Sequence, residues 1–165
     1  MEAVEDKYLT LFDKVKIQSE LLIPLLKDLR QELGEEKANE IVYRSLRNHL
    51  KNHYQILAET KSGSGQQKWA ALTEDMLATI GDDVEVEHLR DDGEALDMDV
   101  VGCRYAQYFL GVCEPELGSI LTCELDEHTV SASNDEVTLN RPKTIMKGDS
   151  KCEFRYEFPK NGNGV

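Results

Sequence analysis

At Gly81 the chain changes period, and that change constrains the fold more than any other feature of its 165 residues. Before it, apolar residues return every three, four or seven positions, the spacing that draws one stripe along a helix. Tyr8, Phe12, Val15, Leu22, Leu26, Leu29 and Leu33 make such a stripe between Glu5 and Leu33. Pro24 interrupts it and predicts a kink or a second segment, because proline lacks the N–H and its ring meets the preceding turn. Gly34 supplies a stop, and a second helix is expected from Glu35 to about Thr60. Its inward residues are Ala38, Ile41, Val42, Ser45, Leu46, His49, His53, Ile56 and Leu57. Two helices joined by so short a turn should lie antiparallel. Ser62 to Gln67, SGSGQQ, reads as a flexible linker, followed by a shorter helix from Lys68 to Ile80.

Beyond Gly81 the side chains alternate. VEVEHL and EALDMDVV flank RDDG, which is a hairpin signal. A helical patch from Cys103 to Gly111 follows. A second helix runs from Pro115 to about Ser131, its proline placed where a missing donor costs nothing. VTLNR (137–141) and CEFRYEF (152–158) form another strand pair around KGDSK, and 159–165 is a loose tail. No internal repeat marks a solenoid. The expected fold class is α+β: an N-terminal helical hairpin plus a roughly four-stranded antiparallel sheet of two hairpins. Helices lie between the hairpins and cover one face of the sheet. A hydrophobic content of 40% suits one core. Residues 1–165 are therefore read as a single domain, with 1–80 its helical half and 81–158 its α+β catalytic half.

Nineteen basic against thirty-two acidic residues give a formal charge of -13, which repels a nucleic-acid backbone and an anionic membrane surface alike. No apolar run approaches the roughly 18 residues of a bilayer span, and MEAVEDKYL is acidic where a signal peptide is basic and then apolar. A cytoplasmic location is expected. Cys103, Cys113, Cys123 and Cys152 then read as thiols rather than a disulfide framework. No CxxC pair occurs, so a zinc ribbon is not indicated, while a mixed site drawn from distant segments stays open.

Cys103 stands at the start of a helix, where unpaired N–H groups and the dipole favour a thiolate, and Arg104 beside it acts in the same direction. Cysteine is also a small, often buried hydrophobe, and position alone does not separate the two roles. Along the helix from Pro115, Leu117, Ile120, Leu121 and Leu125 form an apolar stripe, while Ser119, Cys123, Asp126 and Val130 share another face. That face could line a pocket whose other wall carries Cys103. His49 and His53 have the i, i+4 reach of a zinc pair, but no glutamate follows His49 and both fall on the packing stripe. His88, in a strand, and His128, beside an apolar stripe, have no visible partner.

Taken together, CRYAQYF, EPELGSILTCELD and RPKTIMKGDSKCEFRY resemble the L-2-amino-thiazoline-4-carboxylic acid hydrolase family over about residues 95 to 158. The family pattern falls on Cys103, Glu116, Cys123, Asp126, Arg141, Thr144, Gly148, Asp149, Cys152 and Phe154. Pro142, Glu153 and the segment EHTVSAS depart from it. The resemblance implies a cofactor-free hydrolase of a small molecule, opening a cyclic, isothiourea-like ring at an amidine-type carbon. Such chemistry needs a nucleophile, a group that holds or protonates the ring nitrogen, and a cation for a substrate carboxylate. Cys103, Asp126 and Arg141 would fill these roles, with Cys152 a second thiol and Thr144, Cys123 and Arg104 contacting the substrate. Two other readings use the same residues. In one, Cys103, Cys123, Asp126 and Cys152 gather around a zinc ion that activates water. In the other, the pocket binds a small molecule without turning it over. Assembly of two copies through the helical half completes the expectations.

Overall fold

A computed structural model describes residues 9–158. Helix α1 (Leu11–Leu33) starts where Thr10 and Asp13 form a capping box: Thr10 Oγ1 accepts the Asp13 N–H, and the Asp13 carboxylate accepts the Thr10 N–H, each at 3.1 Å. The helix therefore begins later than its apolar stripe suggests, and Glu5 to Tyr8 lie outside the described residues, as does the tail 159–165. It runs through Pro24 as one element, with Ile23 and Leu26 buried on either side. Helix α2 (Glu35–Glu59) turns back against it at Gly34. Its inward face is only partly the expected one: Ala38, Val42, Leu46 and Leu57 do pack inward. Ala38, Tyr43 and Ala58 are buried, whereas Ile41, His49, His53 and Ile56 are exposed. The expected stripe is too wide for the packed face. Arg30 locks that face by donating to Asn39 Oδ1 (2.8 Å), Tyr43 Oη (3.1 Å) and both oxygens of buried Glu114 (2.6 and 3.0 Å).

Helix α3 (Gly65–Ile80) takes three residues from the expected linker. Ser64 Oγ accepts the Gln67 N–H and Gln67 Oε1 accepts the Ser64 N–H, a second capping box, so Gly65 to Gln67 form a first turn. Strands β1 (Val84–Asp91) and β2 (Ala95–Cys103) make the first hairpin. Helix α4 (Arg104–Gly111) follows at once, and α5 (Pro115–Gly118) leads through a π turn at Ser119–Cys123 into α6 (Leu125–Ser131). The single helix expected from Pro115 thus contains one extra residue, marked by the Glu124 N–H donating to Ser119 O at 2.8 Å. Strands β3 (Thr138–Asn140) and β4 (Cys152–Glu157) complete an antiparallel sheet of order β1-β2-β4-β3. The α+β architecture is the one expected.

Side chains of the sheet alternate between its faces except at two register shifts in the first hairpin, one of which has a consequence for Cys103. Val84, Val86, Met98, Val100, Cys152 and Phe154 face the helices, and Asp99, Glu153 and Arg155 face outward. Val86 pairs with Val100 but Glu85 pairs with Gly102, so Val101 is an extra residue, a β-bulge. Strict alternation would turn Cys103 away from Val100. The bulge resets the phase, and Cys103, paired with Val84, rejoins the inner face.

Two apolar clusters meet there. One joins α1, α2, α4, α5 and the π turn through Phe12, Leu26, Tyr43, Tyr105, Phe109, Leu117 and Ile120. The other lies on the sheet around Trp69, Val100, Phe154 and Tyr156. Cys103, Val84 and Ile145 touch both. Gly118 allows the first cluster to close, since a Cβ there would lie 2.4 Å from Phe109 Cγ. Among the described residues no helix is long and apolar enough to cross a membrane.

Candidate functional site

Between the inner face of the sheet, α3 and the π turn lies a cavity of about 120 Å³. Three separate segments bring chemistry to it: Cys103 from the end of β2, Cys123 and Asp126 from the π turn and α6, and Arg141 with Cys152 from either side of the last connection. The rest of the wall is apolar, with Leu11, Met76, Ile80, Val86 and Met98 among its members, and His88 stands in it as well.

Two of the cavity thiols accept a backbone N–H and the third meets a hydroxyl. Cys103 is the N-cap of α4, its Sγ accepting the Ala106 N–H at 3.4 Å. Cys152 Sγ accepts the Ile145 N–H at 3.3 Å. That N–H is aimed by the TIMKGD turn: the Thr144 N–H donates to Asp149 Oδ2 at 2.9 Å, and Gly148 takes φ +97°, a conformation glycine adopts without strain. Cys123 Sγ lies 3.7 Å from Thr122 Oγ1. Burial pushes all three thiols up, and at Cys103 it outweighs the Ala106 N–H. The thiolate expected from the helix terminus is therefore not the resting form. Its other expected support is also absent, because the Arg104 guanidinium donates to Asp83 Oδ1 (2.5 Å) and stacks 4.4 Å over the Phe12 ring, outside the cavity wall.

Asp126 is the acid of the site. Tyr156 Oη donates to its Oδ1 at 3.1 Å, and Arg141 Nη1 lies 3.7 Å from its Oδ2. Burial dominates over both and lifts the carboxyl to about 6. Arg141 is itself engaged: it donates to the Cys123 carbonyl at 2.5 Å and to Glu127 Oε1 at 2.9 Å, and its guanidinium lies 5.4 Å from the Phe154 ring.

Of the seven residues expected at a site, the cavity wall includes Cys103, Cys123, Asp126, Arg141 and Cys152, and omits Arg104 and Thr144. Thr144 is buried with Oγ1 unpartnered among the described residues, and its contribution is the turn that sets Cys152. Cys113 is exposed in the loop after α4. His88 and Tyr156 were legible but unclaimed, because each continues a two-residue alternation, Val84, Val86, His88 and Cys152, Phe154, Tyr156.

A zinc ion needs three or four donors at bonding distance. Among the described residues no three His, Cys, Asp or Glu side chains come close enough together to hold a metal ion. The four donors proposed for zinc line one cavity without closing on a common point, so this donor set does not fit the metal.

A family model described as L-2-amino-thiazoline-4-carboxylic acid hydrolase matches residues 14–156. No curated protein matches the chain. Among solved structures, the crystal structure of the phenol-responsive sensory domain of the transcription activator PoxR with phenol is similar at 17% identity and a TM-score of 0.48. That likeness covers 83% of this chain and 72% of that one.

Proposed function

The chain belongs to the L-2-amino-thiazoline-4-carboxylic acid hydrolase family, and from that premise we propose that it hydrolyses a non-peptide C–N bond in a small cyclic amidine or isothiourea-like compound. The observation that supports this most is the convergence of Cys103, Asp126 and Cys152 on one cavity from segments far apart in sequence. Its acidic group, the Arg141 guanidinium beside it and the largely apolar remainder of the wall suit a ligand with an amidine head, an acidic substituent and an apolar ring body.

The resting thiols are neutral, so the substrate supplies what the site lacks. An amidinium beside Cys103 favours its thiolate by direct charge attraction. Cys103 gives its proton to the Asp126 carboxylate. Sγ then bonds to the amidine carbon as the C=N π pair moves onto nitrogen. When the ring C–N bond breaks, Asp126 returns that proton to the departing nitrogen. Water next adds to the carbon held on sulfur, giving one proton to Asp126, and the C–S bond breaks as the C=O bond forms, with water's second proton going to Sγ. A carboxyl near 6 is suited to both halves of this relay. Arg141 keeps Asp126 oriented and offers a cation to an acidic substituent, while Cys123 and Cys152 pack the ring.

The decisive experiment is turnover of L-2-amino-thiazoline-4-carboxylic acid, and of the same ring without its carboxylate, by the wild type and Cys103→Ser. Turnover should vanish in the variant while its circular dichroism and melting temperature are retained. A fully active Cys103→Ser protein would sink the nucleophile assignment. The neutral thiols also suit a pocket that binds without reacting; a ring compound retained and returned chemically unchanged by the wild type favours that second reading.

A further inference from the structure

Helix α1 is amphipathic twice over. Its buried side carries Phe12, Val15, Ile23 and Leu26. Nearly opposite, Ile17, Leu21 and Leu25 recur every four residues and are 49%, 74% and 54% exposed. Continued by steps of three, this outer stripe meets Lys14 at one end and Asp28 at the other, both exposed and neither in an ion pair within the described residues. Positions 14, 17, 21, 25 and 28 thus form a seam spaced as in a helix–helix contact, with an apolar centre and opposite charges at its ends.

The order of those charges identifies the occupant. A twofold axis through Leu21 pairs each position with the one equally far on the other side in a second copy. Leu21 then meets Leu21, Ile17 meets Leu25, and Lys14 meets Asp28 at both ends. A parallel pairing in the same register would set Lys14 against Lys14 and Asp28 against Asp28. The seam complements itself only when reversed, which is the property of an isologous interface. We propose that the outer stripe of α1, Lys14 to Asp28, is the contact through which two copies of this chain associate, with their α1 helices antiparallel and crossing at Leu21. A foreign helix would not require charges placed symmetrically about one leucine. The contact also bears on the cavity, because α1 supplies Leu11 to its wall and Phe12 packs edge-on against Tyr105 at 5.3 Å. Association would hold that wall from behind.

Analytical ultracentrifugation of the full chain over a concentration series tests this. The wild type should be a reversible dimer. Leu21→Glu, at an exposed position, should give a monomer with an unchanged circular dichroism spectrum. Lys14→Glu and Asp28→Lys should each weaken association on the order of tenfold, since each turns two attractive contacts repulsive. The double variant K14E/D28K should recover wild-type association. Three results overturn the proposal: a wild type that is monomeric up to about 0.5 mM; a dimer indifferent to Leu21→Glu; or a double variant weaker than either single one.

Discussion

Asp99 and Asp126 are both largely withdrawn from water, one beneath the outer face of the sheet with 3% of its surface exposed, the other over the inner face with 14% of its side chain exposed. Their surroundings differ in kind. Asp99 accepts from Lys151 Nζ at 2.5 Å and from Arg155 Nη2 at 2.8 Å, and these two cations, Lys151 first, hold it below the usual carboxylate range. Asp126 has a phenol at hydrogen-bond distance and a guanidinium at 3.7 Å that is already shared with a carbonyl and Glu127, so burial prevails and its carboxyl rises to about 6. A carboxylate whose charge is fully answered holds strands together. One whose charge is answered in part can exchange a proton near neutrality, as catalysis by a general acid or base requires.

The largest effect should come from removing each acid in turn. Asp126→Asn should lower kcat/KM by on the order of 10² to 10⁴, the usual span for a general acid or base, with the melting temperature unchanged or higher. Asp99→Asn should leave kcat/KM within a factor of about two of wild type, as at a position remote from the chemistry, while its melting temperature falls. Equal activity losses in the two variants would erase the distinction.

Next in size is the dependence of stability on pH, where the two acids have opposite signs. A carboxyl raised on folding binds its proton more tightly in the native state, so its contribution falls as pH rises from about 4, its unfolded value, to about 6. For Asp126 the swing is on the order of 3 kcal/mol. Asp99, depressed on folding, contributes stability above its unfolded value that is lost as pH falls through its lower folded one. Urea unfolding at a series of pH values should show Asp126→Asn removing the decline between 4 and 6, and Asp99→Asn removing the loss below 4. The smallest effect is expected of Tyr156→Phe, which withdraws the phenol from Asp126 and costs about 1 kcal/mol of stability. The acid limb of its kcat/KM profile should move to higher pH, and an unmoved limb would mean that the Tyr156 hydrogen bond is only structural.

Elements were legible where a single period ran without interruption. The hairpin across RDDG, the antiparallel α1 and α2, and the buried stripe of Leu117, Ile120, Leu121 and Leu125 followed from spacing alone. Phase was harder. On α2 the expected stripe was too wide: Ala38, Val42 and Leu46 pack inward together with Tyr43, which Arg30 holds, while Ile41, His49, His53 and Ile56 face water. At SGSGQQ, glycine and serine suggested a linker, yet Ser64 and Gln67 cap a helix. At Arg104 the neighbouring thiol looked like a partner until Asp83, twenty-one residues away in the chain, claimed the guanidinium. The residues of the candidate site were found by motif, but the way they meet was not, because the bulge at Val101 and the π turn at Ser119–Cys123 each leave composition unchanged while turning the side chains that follow.

The bulge gives strand pairing a meaning that side-chain identity does not carry. A chain shortened by one codon at Val101 would retain every residue named at the cavity, including the CRYAQYF block, and its regular strand of Val100, Gly102 and Cys103 would still bring Cys103 to the inner face opposite Val84. Keeping Val101 but pairing the strand without its bulge would instead turn Cys103 to the charged outer face and disarm the site without a single substitution at it. In this fold the way the strand pairs between Val100 and Cys103 decides the site as much as the residues that line it.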